Sequence, residues 1–481
     1  MIVATETNCT ITTDIPQRMD RLPWSRWHWL IVSALGITWI LDGLEVTIVG
    51  ALGAVLTHPA TLNLTESEVG LTASAYLAGS VTGALIFSYL TDRQGRKKWF
   101  LITLLLYLTA TVLTAFSWDL WSFMLFRFLA GAGIGGEYSA INSAIDELIP
   151  ARARGHTDLA INGSWWLGTV AGALLTIPLL NPNVVAETLG WRLCFALGGI
   201  LGLGILLIRR LVPESPRWLM THGRTEEAEA IVREIEETVM RDEGLETLPK
   251  SSGSITVRPY AHATFGTVAH ELFKTYPTRA VLGITLMVTQ SFLYNAIFFT
   301  YALVLTKFYQ VPAGSIGLYI LPFAVVNFCG PLILGRFFDT VGRKPMIALT
   351  YGLAGTLLAV TGYLFWQGYL NSVTQTIAWS AIFFFASAGA SSAYLTVSEI
   401  FPMEIRAMAI AFFFVVGQGA GIFAPWLFGK LIQTSALSVF FGNLIGAGFM
   451  IVGAVVAMLF GVKAEGQALE DIATPLSARD T

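Results

Sequence analysis

A chain of 481 residues with 54% hydrophobic and 13% charged positions, a mean hydropathy of +0.64 and a net charge of −3 does not have the composition of a water-soluble globule. Soluble domains carry roughly 25% charged residues, so this much apolar surface calls for lipid as its solvent. The near-neutral charge offers no nucleic-acid-binding surface, and the separated Cys9, Cys194 and Cys329 give neither a disulfide framework nor a metal cluster.

In chain order, residues 1–28 read as a cytoplasmic tail. Asp14, Pro16 and Asp20, with no apolar core around them, rule out a secretory signal, and Trp24, Trp27 and Trp29 read as an anchor at the membrane surface. Six apolar stretches follow, near 29–52, 68–90, 99–118, 121–145, 158–180 and 191–211, each long enough to cross a ~30 Å hydrocarbon core as a helix. Residues 212–278 form a cytoplasmic linker: Thr225 to Val239, dense in Glu and Ala with apolar residues at helical spacing, predicts an amphipathic helix, and Lys250 to Ser254 predicts a loop. Six more stretches lie near 279–306, 314–337, 345–368, 374–397, 407–432 and 437–461, and 462–481 is a second cytoplasmic tail. The fold class is therefore an all-α membrane protein with twelve transmembrane helices in two six-helix bundles, 29–211 and 279–461. Arg93, Arg96, Lys97, Lys98, Arg152, Arg154, Arg217, Arg336, Arg343, Lys344 and Arg406 fall in alternate connections, against Lys307 and Lys430 opposite, which places both termini in the cytoplasm.

The two bundles repeat each other. Asp92-Arg93-Gln-Gly95-Arg96 returns as Asp339-Thr-Val-Gly342-Arg343, and Glu147-Leu-Ile-Pro150 with Arg154 returns as Glu399-Ile-Phe-Pro402 with Arg406, each about 250 residues later. Two patterns in the same order at nearly one offset point to a duplicated half. Each sets an acid before a turn and bases after it at helix ends, where they pair and hold the ends together. The run Gly131-Ala-Gly133-Ile-Gly135-Gly136 has the spacing of a dinucleotide fingerprint but no preceding strand, and reads as a small-residue stripe for close helix packing.

Charges inside the spans are few and costly, roughly 2.5–3.5 kcal/mol each near mid-bilayer. Asp42 and Glu45 are three apart on the first span and share a face. Arg127 stands in the fourth, at a depth that coincides with Asp42 when ~1.5 Å is counted per residue from each end. Glu137, about 15 Å nearer the cytoplasm on the same helix, is given no role.

These residues, with Pro213-Glu-Ser-Pro-Arg217 and Thr289-Gln290-Ser-Phe-Leu-Tyr294-Asn295, resemble the major facilitator superfamily, and within it the sugar porters and the related organic-ion and niacin carriers. The resemblance implies two rocking halves that open alternately to each side. It implies a cytoplasmic gate made by Asp92, Arg93, Arg96, Glu147, Arg154, Asp339, Arg343, Glu399 and Arg406, with Ser88 standing where the family has Gly. It makes Asp42 and Arg127 a proton-coupling pair, with Glu45 beside them. The substrate positions it implies are Asn162, Thr169, Thr289, Gln290, Asn295 and Tyr394, several of them departing from the sugar-porter pattern, and Trp166, Tyr294 and Gln418 read beside them as lining for a pocket that has lost amides. The expected activity is proton-coupled symport of a small polar solute, sugar or polyol first, with a nicotinate-like aromatic or organic acid as the alternative and a non-transporting sensor of the same fold after it. No nucleophile or catalytic acid–base pair marks an enzyme, and no cofactor or metal is implied. The expected partners are the solute, protons and the lipid bilayer of the plasma or inner membrane, the chain acting as a monomer.

Overall fold

The computed structural model describes residues 11–56, 59–64, 66–180, 184–209, 212–250, 253–257, 264–311 and 316–476. Strand β1 (Ile11–Thr13) and helix α1 (Ile15–Asp20) precede the first long helix, α2 (Arg26–Leu56). The first half continues with α3 (Glu66–Gln94), α4 (Arg96–Thr114), α5 (Leu120–Leu148), α6 (Arg154–Gly163), α7 (Trp165–Leu179) and α8 (Glu187–Arg209). The connecting segment holds α9 (Pro216–Thr221), α10 (Thr225–Glu243), β2 (Ile255–Val257) and α11 (Phe265–His270). The second half is α12 (Pro277–Tyr309), α13 (Ile316–Thr340), α14 (Arg343–Trp366), α15 (Ser372–Glu399), α16 (Arg406–Thr434) and α17 (Ala436–Phe460), followed by the short α18 (Leu469–Ile472).

Taking α6 and α7 as one interrupted span, there are twelve, and the two halves pair theirs alike. In the first half α2 packs on α7, α3 on α5 and α4 on α8; in the second α12 packs on α16, α13 on α15 and α14 on α17. The halves meet where α3 crosses α16 and where α13 crosses α6 and α7. Among the described residues, eight of these helices are apolar and long enough to cross a membrane on composition alone.

The duplicated motifs build the same turn twice. Gly95 and Gly342 have φ of 102° and 116° just ahead of α4 and α14, a backbone region that side chains disfavour. The glycine run of α5 is a packing stripe, as its sequence predicts: a Cβ on Gly131 or Gly135 would overlap the carbonyl oxygen of Tyr76 or Ser80 on α3. The break between α6 and α7 falls at Gly163-Ser164, where the Ser164 hydroxyl donates to the carbonyls of Ile161 (2.6 Å) and Gly36 (3.1 Å). That break turns Trp165 and Trp166 toward the middle of the molecule.

The start of the chain is built in rather than trailing. β1 pairs antiparallel with β2, Ile11 opposite Val257, and α1 lies against α10. Arg18 donates to Glu236 (3.0 and 2.7 Å) and Glu229 (2.5 Å), and Arg21 donates to Glu236 (2.6 Å) and the Pro249 carbonyl (2.6 Å). Burial pushes the Glu236 carboxyl up, but hydrogen bonds and charge from Arg18 and Arg21 outweigh it and hold it below the usual carboxylate range. A carboxyl depressed in the folded state contributes stability above its unfolded pKa and loses it as pH falls through the folded one. Protection of residues 11–21 against amide hydrogen exchange, taken relative to the intrinsic rate at each pH, should therefore be high at neutral pH and be lost as pH falls below the usual carboxylate range. In Glu236→Gln that acid-triggered release should disappear; protection lost with the same midpoint in the variant would assign it to another group.

Candidate functional site: a central cavity and the gate beneath it

A cavity of ≈ 200 Å³ lies between the halves and takes its lining from both. The first half supplies Trp39, Asp42, Tyr76, Tyr138, Asn162, Trp165 and Trp166; the second supplies Gln290, Tyr294, Asn295, Phe298, Tyr394, Phe414 and Gln418. Asp42, 2% exposed, is the one ionisable carboxyl on its wall among the described residues. Its Oδ1 accepts from the Tyr76 hydroxyl (2.6 Å) and its Oδ2 from the Tyr138 hydroxyl (2.9 Å) and the Trp165 indole N–H (2.7 Å). All three donors are uncharged.

The arginine expected beside Asp42 is elsewhere. Arg127 forms its ion pair with Glu45, whose other oxygen accepts from the Thr111 hydroxyl (2.8 Å). The correction has a helical cause: Glu45 stands about one turn beyond Asp42 on α2, on the side that α4 and α8 cover, and Arg127 points there. Its guanidinium lies 4.3 Å over the Tyr76 ring and 5.9 Å from that of Phe195. Tyr76 thus separates the two charges, its hydroxyl on Asp42 and its ring face on Arg127.

Of the nine substrate positions, Asn162, Trp166, Gln290, Tyr294, Asn295, Tyr394 and Gln418 reach the cavity. Thr169 and Thr289 do not. Thr169 sits fully buried on the stripe of α7 that includes Gly168 and Gly172 and packs on α2. Thr289, one residue before Gln290 and so about 100° around α12, turns its hydroxyl to the carbonyls of Thr285 (2.8 Å) and Leu286 (3.2 Å) and lies beside Gly453 of α17. Trp39, Tyr76 and Tyr138 were not among the candidates; the available signal was aromatic residues with a polar tip inside otherwise apolar spans. Glu137 faces away and accepts from Thr103 (2.8 Å).

Some of the amides that reach the cavity are already engaged by protein. Asn295 donates to the carbonyl (2.8 Å) and hydroxyl (3.2 Å) of Ser291, and Asn162 donates to the Asp158 carbonyl (2.9 Å) and to Asn142 (3.2 Å).

Beneath the cavity, on the face where α1 and α18 lie, the duplicated charge motifs interlock across the halves. Arg343 grips Glu399 through two bonds of 3.0 Å and Asp339 at 2.8 Å. Asp339 in turn accepts from the backbone N–H of Gly155 (3.0 Å) and His156 (2.7 Å), so an acid of the second half caps the N-terminus of α6 in the first. Arg154 reaches Glu399 (3.6 Å) and Asp20 (3.5 Å), and Arg406 reaches Glu147 (3.5 Å). Arg217 ties Asp20 (3.0 Å) to Glu470 (2.7 Å). Arg93 stacks on Tyr89 (4.3 Å), while the side chains of Asp92 and Arg96 lie outside those described. Ser88, in place of a glycine, folds its hydroxyl onto the Ala84 carbonyl (2.5 Å).

Known proteins match nearly the whole chain. The niacin transporter NiaP of Acinetobacter baylyi is 28% identical over 413 residues, 86% of this chain and 89% of the relative. The glucose facilitated diffusion protein of Zymomonas mobilis is 27% identical over 474 residues, 92% and 95% of the two chains. The fold matches the proton:xylose symporter XylE bound to 6-bromo-6-deoxy-D-glucose with a TM-score of 0.77 at 21% identity, over 93% of this chain and 98% of the other. These relatives are transporters, and the profile of the "Sugar (and other) transporter" family covers residues 31–476, so the chain belongs to that family.

Proposed function

We propose that this protein is a proton-coupled carrier of a small, flat organic acid, an aromatic or heteroaromatic carboxylate. The observation that carries the reading is Asp42: a buried carboxyl on the cavity wall, held by three neutral donors, with the nearby arginine committed to Glu45. An ionised Asp42 repels an anionic solute at close range, whereas a protonated one admits it. Proton and solute then enter as a neutral pair, and each requires the other. The aromatic walls supply stacking faces for a planar ring, with Trp166 and Tyr294 at 6.0 Å and Trp165 and Phe298 at 6.0 Å between centroids. A relative named as a niacin transporter supports the same class.

A second reading, sugar or polyol symport, is favoured by the xylose- and glucose-named relatives. It needs amides facing the solute, and Asn162 and Asn295 have turned their N–H groups onto protein. With both termini cytoplasmic, the interlocked gate is the inner one, closed in this structure, and the cycle delivers solute inward across the cytoplasmic membrane.

Electrogenicity separates the two readings. Proteoliposomes with an inside-alkaline gradient should accumulate labelled nicotinate without a transport current, because one proton and one anion cross together. Xylose accumulation with an inward current would instead establish the sugar reading. Gln290 supports the solute from the second half, so Gln290→Ala should weaken binding about tenfold, the loss of one buried hydrogen-bonding group at about 1.4 kcal/mol. An affinity within about twofold of the parent in calorimetric titration would remove Gln290 from the site.

A further inference from the structure

Two carboxyls lie between the cavity and the gate, and the cycle above does not use them. Tyr138, Asn142 and Asp146 follow at steps of four along one face of α5, and Asn162 and Asp158 do the same on α6. Tyr138 and Asn162 line the cavity, so Asp158 stands one turn, and Asp146 two turns, further toward the gate. Both acids are 0% exposed, and none of their four carboxyl oxygens accepts a well-formed hydrogen bond, Ser398 beside Asp146 and Asn162 beside Asp158 being the only neutral donors at hand among the described residues. The buried Oδ1 of Asn162 has no donor either. Acceptors without protons have gathered at one place.

The surrounding charges do not supply what is missing. Asp146 is faced by Arg406 of α16, Arg154 of α6, and Glu399 and Ser398 of α15; Asp158 is faced by Asp146, Glu399, Arg343 of α14 and Asn162. Arg154 and Arg343 already have carboxylates of their own in the gate, Glu399 and Asp20 for the first and Glu399 and Asp339 for the second, whereas Arg406 is shared between Asp146 and Glu147 (3.5 Å), so one guanidinium stands against three acids, Asp146, Glu147 and Asp158. A buried carboxylate lacking donors is costly, and a neutral carboxylic acid in the same place is far less so.

We propose that Asp146 and Asp158 are a gate-side proton store, holding at least one proton while the gate is closed and releasing it when opening lets water in. The origin of the proton rests on the coupling reading: the carboxylic acid of Asp42 passes H⁺ to water in the cavity, and the Asp158 carboxylate takes it up. The store itself is a property of the gate and needs no solute. Because the closed state binds more protons than the open one, raising the pH favours opening, by about tenfold in the equilibrium per pH unit for each proton released.

Spin labels on Lys98→Cys and Thr340→Cys, exposed positions at the gate-side ends of α4 and α13, report opening as a distance distribution in nanodiscs without solute. The background lacks the native cysteines and carries His156→Gln, which removes the imidazole 3.7 Å from Asp339. The open fraction should climb with pH, and Asp146→Asn with Asp158→Asn should flatten the climb, whereas Asp42→Asn should leave it in place. A climb that survives the paired substitution, or one that only Asp42→Asn removes, overturns the store; the latter result leaves the coupling role of Asp42 standing. A second measurement needs no change at the pair. The infrared band of protonated carboxyls in the same background should shrink as the open fraction grows, and a constant band would also overturn the store.

Discussion

In Asp42→Asn, accumulation driven by a pH gradient should collapse while solute exchange at equal pH continues. One proton per solute sets a limiting accumulation of about tenfold per pH unit, since a pH unit is worth about 1.36 kcal/mol. Asparagine keeps the shape of the protonated acid and one acceptor oxygen, but it neither binds nor releases a proton. The accumulation ratio in proteoliposomes should fall to one, with counterflow of preloaded solute retained. The substitution replaces one acceptor of the Tyr76, Tyr138 and Trp165 bonds by a donor, a mismatch of about 1–3 kcal/mol, so thermal unfolding should be followed alongside. A variant that still concentrates solute against a pH-driven gradient would place coupling at another group. Glu45 is not the first alternative, because its contacts with Arg127 and Thr111 keep it off the wall of the cavity.

Arg343→Ala should open the gate. The guanidinium is 2% exposed and satisfies Glu399 twice and Asp339 once, and Asp339 in turn caps α6 of the other half. Deleting it leaves carboxylates buried beside a gap, and breaking one side of a buried pair costs about 3–5 kcal/mol. That cost falls on the closed state, because opening lets water reach the same carboxylates. The open fraction read by the Lys98 and Thr340 labels should rise at least about a hundredfold relative to closed, with pH-driven accumulation lost through leak. An unchanged distance distribution would mean that Arg343 supports only its own half. Glu399→Gln should act in the same direction more weakly, because the amide oxygen still accepts from Arg343.

The sequence made the architecture legible because lipid imposes it: a hydrocarbon layer demands long apolar helices. The duplicated motifs at Asp92 and Asp339 and at Glu147 and Glu399 marked the gate for the same kind of reason, acids being hard to account for at a membrane edge unless they pair. The pairing of Arg127 was not legible. Counting residues fixed its depth but not its direction, and one turn of α2 separates Asp42 from Glu45. Thr289 was misplaced for a similar reason, one residue along a helix being a rotation of about 100°. Tyr76 and Tyr138 escaped because a tyrosine in a membrane span reads equally as packing, and only the assembled fold shows which hydroxyls converge on one carboxyl. The β1 and β2 pairing joins residues 11–13 to 255–257, a contact that no local pattern announces.

Arg217 has a bearing on biosynthesis. Fully buried, it is held by Asp20 from near the front of the chain and by Glu470 from near the back, and it donates as well to the Pro16 carbonyl (3.4 Å). While a ribosome is still making the second half, that guanidinium has only part of its final environment. The face where α1, α9 and α18 meet therefore acquires this lock only once residue 470 has been synthesised, and a chain interrupted before it lacks the Glu470 half of the clamp on a guanidinium that burial makes costly to leave underpaired.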